Sequence, residues 1–305
     1  MTEAEFLHAL RCLPLHAGAR GLQDDAAVVG PFVMTTDTLV EGVHFLPHDP
    51  PGDVAWKLLA VNLSDLAAKG AVPEGVLLNY PLSTPEWDAA FLAGLNAALA
   101  AFACSLIGGD TVSLPAGSTR VLTLTAIGRD APAPSRSGAL AGDALWVTGT
   151  IGDAGAGLRI ARGETGPAEL LAAYRRPRPL LAEGRALAPL VHAMCDVSDG
   201  LLIDAARMAT ASGLAVTVEL AAVPLSPALE AFDPDPLAAA TAGDDYQLLF
   251  AVPPGDAPPV AATLVGAFAA GAGLSLTQGG SRVAVPARLG YEHGSNGLPA
   301  SPPRL

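Results

Sequence analysis

The sequence predicts an α/β protein in which helices and strands pack in layers and form two domains. Half of the 305 residues are hydrophobic, so the chain can bury the cores of two domains of ordinary size. Apolar strand-like runs alternate with Ala- and Leu-rich helical segments along the whole chain. A segment rich in Pro, Ala, Gly and Ser interrupts this alternation near the middle, where we expect the domains to be joined.

The predicted strands are short runs of apolar and β-branched residues. Six such runs cover residues 32–40, 75–80, 120–127, 144–148, 214–220 and 246–252. Because helical segments separate them, a layered arrangement of helices and strands is favoured over an all-helical one.

Two helices have boundaries with a physical cause. One runs from about Asp53 to Lys69, and Gly70 follows where a left-handed residue would end the helix. The other runs from about Pro85 to Cys104, with Thr84 as the preceding N-cap and Pro85 in the first helical position.

The segment DAPAPSRSGALAGD, residues 130–143, has the composition of a connection between domains. We therefore expect an N-terminal domain at 1–138 and a C-terminal α/β domain at 139–293. Residues 294–305 lack apolar periodicity and are expected to form a mobile tail.

The formal charge of −13, with no Lys- or Arg-rich stretch, argues against binding to nucleic acid or to an anionic membrane. The most apolar stretch, 97–107, is too short to span a bilayer and is expected in the core. An acidic N-terminus is unlike a signal peptide. The three cysteines, Cys12, Cys104 and Cys195, suggest neither disulfides nor zinc, so a cytoplasmic protein is expected.

Several aspartates interrupt apolar sequence. Asp37 lies within the strand-like run FVMTTDTLV, and Asp65 lies within the helical run AVNLSDLAAKGA. Others in comparable surroundings are Asp24, Asp25, Asp110, Asp196, Asp199, Asp244 and Asp245. Buried carboxylates cost several kcal/mol each without a partner. Because the chain has only two lysines, Lys57 and Lys69, Mg²⁺ is the expected partner, and such a site suits ATP.

Taken singly, some of these residues have simpler explanations. Asp199 suits a helix N-cap, Asp24 and Asp25 suit a turn, and His44 suits a surface or core position. The glycine-rich turn VTGTIGDAGAGL, residues 147–158, suits either a phosphate-binding helix start or a turn with only a packing role. The usual ATP-binding signatures, including a lysine in a GK[ST] loop, are absent from the sequence, so an ATP site must have another design.

Eight segments in order over about residues 20–250 resemble the thiamine-monophosphate kinase family: LQDDAAVV, TTDTLVEGVHFLP, AVNLSDLAAKGAVP, LIGGDTVS, SRSGALAGD, VTGTIGDAGAGL, DVSDGLLIDA and AGDDYQLLF. The wider group includes aminoimidazole ribonucleotide synthetase and selenophosphate synthetase. The resemblance implies a two-domain fold and a homodimer joined through the N-terminal sheets. It also implies Mg²⁺-dependent transfer of the ATP γ-phosphoryl group to thiamine monophosphate.

The resemblance also implies roles for individual residues, without a side-chain general base. Several magnesium ions would be bound by Asp25, Thr35, Thr36, Asp37, Asp65, Asp110, Asp196 and Asp199. ATP would be contacted by Gly109, Asp110, Arg136 and Ser198. Thiamine monophosphate would be contacted by His44, Asp244 and Tyr291.

Three positions depart from the family pattern: Gln23 and Gln247 replace a glycine and a glutamate, and Asp244 stands where glutamate is usual. A selenophosphate synthetase-like enzyme is the nearest alternative, and it would need a reactive cysteine, for which Cys12 is the candidate. A non-catalytic sensor of ATP and Mg²⁺ is the other alternative. It would be expected to have lost metal ligands, and none is missing here.

Overall fold

The computed structural model describes residues 3–115 and 117–293, so the tail expected at 294–305 lies outside the described residues. The N-terminal half is formed by α1 (Glu3–Leu10), β1 (Ala27–Val29), β2 (Phe32–Val40), α2 (Pro51–Ala68), β3 (Val72–Leu82), α3 (Pro85–Ala101), β4 (Leu106–Ser113) and β5 (Val121–Arg129). These five strands form one sheet in the order β1-β2-β5-β3-β4. The pair β3 and β4 is parallel, and the other neighbours are antiparallel.

Helix α2 packs on the inner face of this sheet and is buried along most of its length. Leu58 and Leu66 are fully buried and share one core with Val33 and Leu124 of the sheet. The helix ends as the sequence predicts, because Gly70 adopts a φ of +65°, which favours glycine. The polar residues Asn62 and Ser64 of α2 are therefore buried among apolar side chains.

The C-terminal half forms a second sheet covered by helices. Its elements are β6 (Ala144–Thr148), α4 (Asp153–Ala161), α5 (Ala168–Arg175), α6 (Leu181–Leu187), β7 (Ala193–Asp196), α7 (Leu201–Ser212), β8 (Leu214–Glu219), α8 (Pro227–Phe232), α9 (Pro236–Thr241), β9 (Leu248–Val252), β10 (Ala262–Ala270), β11 (Gly273–Gln278) and β12 (Ser281–Val283). The strand order is β12-β11-β8-β10-β6-β9-β7. Strand β9 is buried on both faces.

The two halves are in direct contact through α2. Helix α6 approaches α2 so closely that a Cβ added at Gly184 would lie 2.0 Å from the carbonyl oxygen of Ala67. Trp56 Nε1 donates a hydrogen bond of 2.9 Å to the carbonyl oxygen of Pro177, and Tyr174 Oη donates one of 2.9 Å to Asp49. Side chains of both halves consequently face one shared space.

Most of the predicted elements are present, and one prediction about the core is wrong. Strands β2 and β6 have the predicted bounds, and each of the other four predicted runs overlaps a strand. The apolar stretch 97–107 was expected in the core, but Leu106 is 50% exposed and Ile107 is 52% exposed. They begin β4, an edge strand that is exposed along its length. The predicted boundary near residue 138 falls between β5 and β6 and stays a prediction.

No helix among the described residues is both long enough and apolar enough to cross a membrane.

Candidate active site

A cavity of about 750 Å³ lies between the two halves of the chain. Strand β2 and helix α2 line it from the N-terminal side. Helix α4 and the loops that follow β7 and α9 line it from the C-terminal side. Eight residues singled out from the sequence face it: Asp37, His44, Asp65, Asp196, Ser198, Asp199, Asp244 and Tyr291. Folding therefore gathers residues that are far apart in the chain around one space.

Three carboxylates form a cluster at one end of the site. Asp25, Asp65 and Asp196 each offer an oxygen atom, and these atoms lie within 4.8 Å of one another. They come from the loop before β1, from α2 and from the end of β7. Thr35 Oγ1 donates a hydrogen bond to Asp65, and Ser64 Oγ donates one of 2.5 Å to Asp196. These hydroxyls fix the two carboxylates without neutralising them.

Burial raises the pKa values of the acids at this end. Burial, reinforced by the charge of Asp25, raises the pKa of Asp196 to about 8. The same two causes raise the pKa of Asp37 to about 6, and burial with the charge of Asp37 raises the pKa of Asp65 well above its usual value. Ionised carboxylates crowded in this way need a cation. A set of hard oxygen donors fits Mg²⁺.

Two acids, Asp24 and the cluster member Asp25, are paired with cations of the protein. Lys69 is fully buried, and its Nζ lies 2.5 Å from Asp24 Oδ1 and 2.8 Å from Asp25 Oδ2. Arg20 also contacts Asp24, and Arg136 contacts Asp25. Burial alone would raise the pKa of Asp24, but Lys69 and Arg20 outweigh it and hold that pKa below its usual value. The expectation that Mg²⁺, and not one of the two lysines, is the partner of these acids is therefore wrong for Asp24.

A second part of the cavity lining, the substrate end, is formed by His44, Asp244 and Tyr291. His44 Nδ1 accepts a hydrogen bond of 3.0 Å from the backbone N–H of Val40, and burial lowers the pKa of the imidazole. The rings of His44 and Tyr291 both lie against the ring of His293, at centroid distances of 5.4 and 5.0 Å. The neutral imidazole keeps its proton on Nε2, so this end offers aromatic faces and hydrogen-bonding groups.

Comparison with known proteins agrees with this geometry. Residues 23–129 match the model of the AIR synthase related protein N-terminal domain, and residues 141–272 match that of the C-terminal domain. Thiamine-monophosphate kinase of Caulobacter vibrioides is 39% identical over 95% of this chain and 91% of its own length. The corresponding protein of Salmonella typhimurium is 40% identical over 76% of both chains.

The chain belongs to the thiamine-monophosphate kinase family. A solved structure, AaThiL complexed with AMPPCP and TMP, superposes with a TM-score of 0.84 at 28% identity and covers 96% of this chain and 97% of its own. A HypE structure in complex with ATP, at 22% identity, shares the fold with a TM-score of 0.68. The family and the two-domain fold predicted from the sequence motifs are confirmed.

Two aspartates that the sequence analysis did not assign support the site. Asp204, in the family motif DVSDGLLIDA, accepts hydrogen bonds from the backbone N–H groups of Ser198, Asp199 and Gly200 at 3.2, 3.1 and 3.3 Å. It holds the loop that carries two predicted ligands. The sequence feature that could have indicated this role is the position of Asp204 in the first turn of α7, directly after that loop.

Asp245 decides between the two interpretations of the glycine-rich turn at 147–158. Its carboxylate accepts hydrogen bonds of 3.0 and 2.9 Å from the backbone N–H of Gly152, which precedes α4. A carboxyl group of the protein thus occupies the start of this helix, where a phosphate would otherwise bind. The packing role is favoured for this turn.

Six residues assigned by resemblance to the thiamine-monophosphate kinase family are not among those that line the cavity of the single chain. Asp25, Thr35 and Arg136 still contact or belong to the carboxylate cluster, whereas Thr36, Gly109 and Asp110 do not. The side chain of Thr36 points to the other face of the sheet, where its Oγ1 donates to the carbonyl oxygen of Leu124. Gly109 and Asp110 lie on the exposed strand β4, three strands away from β2 and roughly 14 Å distant by the usual strand spacing. A Cβ at Gly109 would lie 1.8 Å from the carbonyl oxygen of Leu78, so close pairing with β3 alone requires glycine.

Proposed function

We propose that this chain transfers the γ-phosphoryl group of ATP directly to the phosphate of thiamine monophosphate, giving thiamine diphosphate and ADP. The observation that carries the proposal is a single cavity lined by the crowded carboxylates Asp37, Asp65 and Asp196 and also by His44, Asp244 and Tyr291. The AaThiL complex with AMPPCP, an analogue of ATP, and TMP supports both substrates.

Magnesium ions would be held by Asp25, Asp37, Asp65 and Asp196, with Asp199 beside them. The donor set supports this assignment, because burial and neighbouring carboxylates raise the pKa values of Asp37, Asp65 and Asp196, and no Lys or Arg among the described residues forms an ion pair with them. Bound magnesium would neutralise the repulsion between the two phosphate-bearing substrates and position them in line. Thr35 and Ser64 keep the carboxylates oriented for this role.

No side chain is needed as a general base. The acceptor is a phosphate monoester with a second pKa of about 6, so its oxygen is already an anionic nucleophile near neutral pH. His44 is unsuited to remove a proton, because its Nδ1 already accepts from Val40 N–H and its Nε2 carries a proton. His44 would instead donate a hydrogen bond to the substrate.

The nucleotide would be contacted by Arg136 and Ser198 of one chain and by Gly109 and Asp110. Because Gly109 and Asp110 lie on exposed β4 and away from the carboxylate cluster, we propose that two copies assemble through their N-terminal sheets. The exposed apolar side chains of Leu106 and Ile107 on β4 support such an interface.

The two alternatives from the sequence analysis have less support. A selenophosphate synthetase-like reaction needs a reactive cysteine, but Cys12 is exposed, its Sγ lies 3.6 Å from the carbonyl oxygen of His8, and it does not line the cavity. A sensor without activity would have lost ligands, and the carboxylate set is intact. The cysteines are all free thiols, which supports a reducing compartment such as the cytoplasm.

The function is tested with purified protein, ATP, Mg²⁺ and thiamine monophosphate, with the product identified by mass. We expect thiamine diphosphate and ADP in equal amounts, and no product when EDTA removes Mg²⁺. Free thiamine, whose acceptor is an alcohol, should be a very poor substrate. Efficient phosphorylation of free thiamine would contradict direct transfer to a phosphate acceptor.

A further inference from the structure

A buried lysine, Lys57, contacts two of the three residues at the substrate end of the cavity, Asp244 and His44. Lys57, on α2, is only 2% exposed. Its Nζ donates hydrogen bonds of 2.7 Å to Asp244 Oδ2 and of 3.1 Å to the carbonyl oxygen of His44. It also lies 4.3 Å from the centre of the Tyr174 ring. These contacts surround the ammonium group, and Lys57 does not line the large cavity, so it acts through its neighbours.

Asp244 lies in a loop that needs such support. Asp244 and Tyr246 have φ angles of 69° and 51°, a region that residues other than glycine seldom adopt. Tyr246 Oη donates a hydrogen bond of 3.0 Å to Asp244 Oδ1, while Lys57 holds the other oxygen. The carboxylate is thereby fixed from two sides, and its remaining lone pairs are available to the cavity.

The same helix carries a member of the carboxylate cluster. Asp65 follows Lys57 on α2 by two turns, which separates the two positions by about 12 Å along the helix axis. A rigid, buried helix therefore sets the spacing between the carboxylates and the groups at the substrate end. Thiamine monophosphate has an anionic phosphate at one end and a ring with an amino group at the other, which suits such a spacing.

We propose that Lys57 is a positioning residue that fixes Asp244 and His44 at a set distance from the carboxylate cluster, and so selects a phosphate ester with a hydrogen-bond-donating ring. This inference rests on the proposed function. The ammonium orients the Asp244 carboxylate to accept a hydrogen bond from the substrate ring. It contributes to substrate binding and not to the transfer step.

A double-mutant cycle tests the proposal with the full-length protein. The KM for thiamine monophosphate, the KM for ATP and kcat are measured for wild type, Lys57→Met, Asp244→Asn and the double variant. Lys57→Met should raise the KM for thiamine monophosphate about 30-fold, as expected for a lost charged hydrogen bond. Its kcat and its KM for ATP should change little. The combined effect in the double variant should be clearly smaller than the sum of the two single effects in free energy, because Lys57 acts in large part through Asp244.

A matched control is Tyr174→Phe, which keeps the ring beside the ammonium and removes the hydroxyl that donates to Asp49. It should leave the KM for thiamine monophosphate unchanged. Thermal unfolding checks each variant, and Lys57→Gln replaces Lys57→Met if the latter does not fold. If neither variant folds, the lysine serves the fold and the proposed role is overturned.

Two other results overturn the proposal. One is an unchanged KM for thiamine monophosphate in the folded Lys57 variants, and the other is an additive effect in the double variant. The wild-type assay separates this inference from the proposed function. No product with wild-type protein overturns both, whereas normal wild-type turnover with unaffected Lys57 variants overturns only the role of Lys57.

Discussion

Two groups of carboxylates lie in or beside this site, and they differ in what balances their charge. Asp24 and Asp244 are paired with cations of the protein, Lys69 and Lys57. Asp65, by contrast, accepts a hydrogen bond from the hydroxyl of Thr35 and forms no ion pair within residues 3–115 and 117–293, and burial raises its pKa. The paired group gives the site its shape. The unpaired group provides negative charge for ions that come with the nucleotide.

Asp25 connects the two groups. It lies within the three-carboxylate cluster, and its side chain also contacts Lys69 and Arg136. The difference between the paired and the unpaired group shows that the number of acids in a site does not identify its metal ligands. The ion pairs that Lys and Arg form determine which acids remain uncompensated.

Asp65→Asn should give the largest effect, a loss of turnover of about 1000-fold or more, because it removes a ligand from the unpaired group. The same change should raise the melting temperature in EDTA, since it removes a buried charge that repels its neighbours. Steady-state kinetics and thermal unfolding measure both. The control Asp233→Asn alters an exposed carboxylate paired with Arg159 and should change neither. Near-normal turnover of Asp65→Asn at saturating Mg²⁺ would contradict the assignment.

Lys69→Met should lower the free energy of unfolding by about 3 kcal/mol, because it leaves Asp24 and Asp25 buried without their shared ammonium. Urea denaturation measures this change. Arg129→Met breaks an exposed pair with Glu74 and should cost less than about 1 kcal/mol. If Lys69→Met and Arg129→Met lowered the free energy of unfolding by the same amount, the buried pair and the exposed pair would not differ in strength as we expect.

The unpaired group should also show itself in the pH dependence of stability. The pKa of Asp196 is raised from 3.8 to about 8 in the folded protein, so its stabilising contribution is present at low pH and is lost as pH rises through that range. In EDTA, the free energy of unfolding of Asp196→Asn should rise relative to wild type as pH increases from 3.8 to about 8. The slope should be at most about 1.4 kcal/mol per pH unit, the value for one titrating proton. Mg²⁺ should reduce the difference. Parallel pH profiles in EDTA would contradict this reading.

Arg136→Ala should have the smallest effect, a rise of about 10-fold in the KM for ATP with a smaller change in the KM for thiamine monophosphate. The guanidinium contacts Asp25 in this structure and lies beside the carboxylate cluster, where a phosphate could also reach it. Initial rates with each substrate varied in turn measure the two constants. Unchanged constants would leave Arg136 with a purely structural role.

Local sequence signals predicted the local structure well. The caps at Thr84 and Gly70 mark observed helix ends, and the apolar run 32–40 is an observed strand, because these signals depend on neighbouring residues only. The position of Asp65 in an apolar helix likewise indicated a buried acid that requires a partner.

Contacts between distant residues could not be predicted in this way. Lys57 and Asp244 are 187 residues apart, and Ser64 and Asp196 are 132 apart, so no periodicity or spacing connects them. The scarcity of lysine was therefore misread, since folding brings both lysines to the acids. The exposure of β4 was missed for a similar reason: an apolar run does not reveal whether its strand lies at the edge of a sheet.

The claim that unpaired carboxylates form the metal site is tested most directly by anomalous diffraction from crystals grown with Mn²⁺ and AMPPCP. We expect Mn²⁺ peaks within coordination distance of Asp65 and Asp196, and no ion bound to Asp24, whose charge Lys69 and Arg20 already balance. Mn²⁺ bound only elsewhere, or absent from this cluster at saturating concentration, would contradict it.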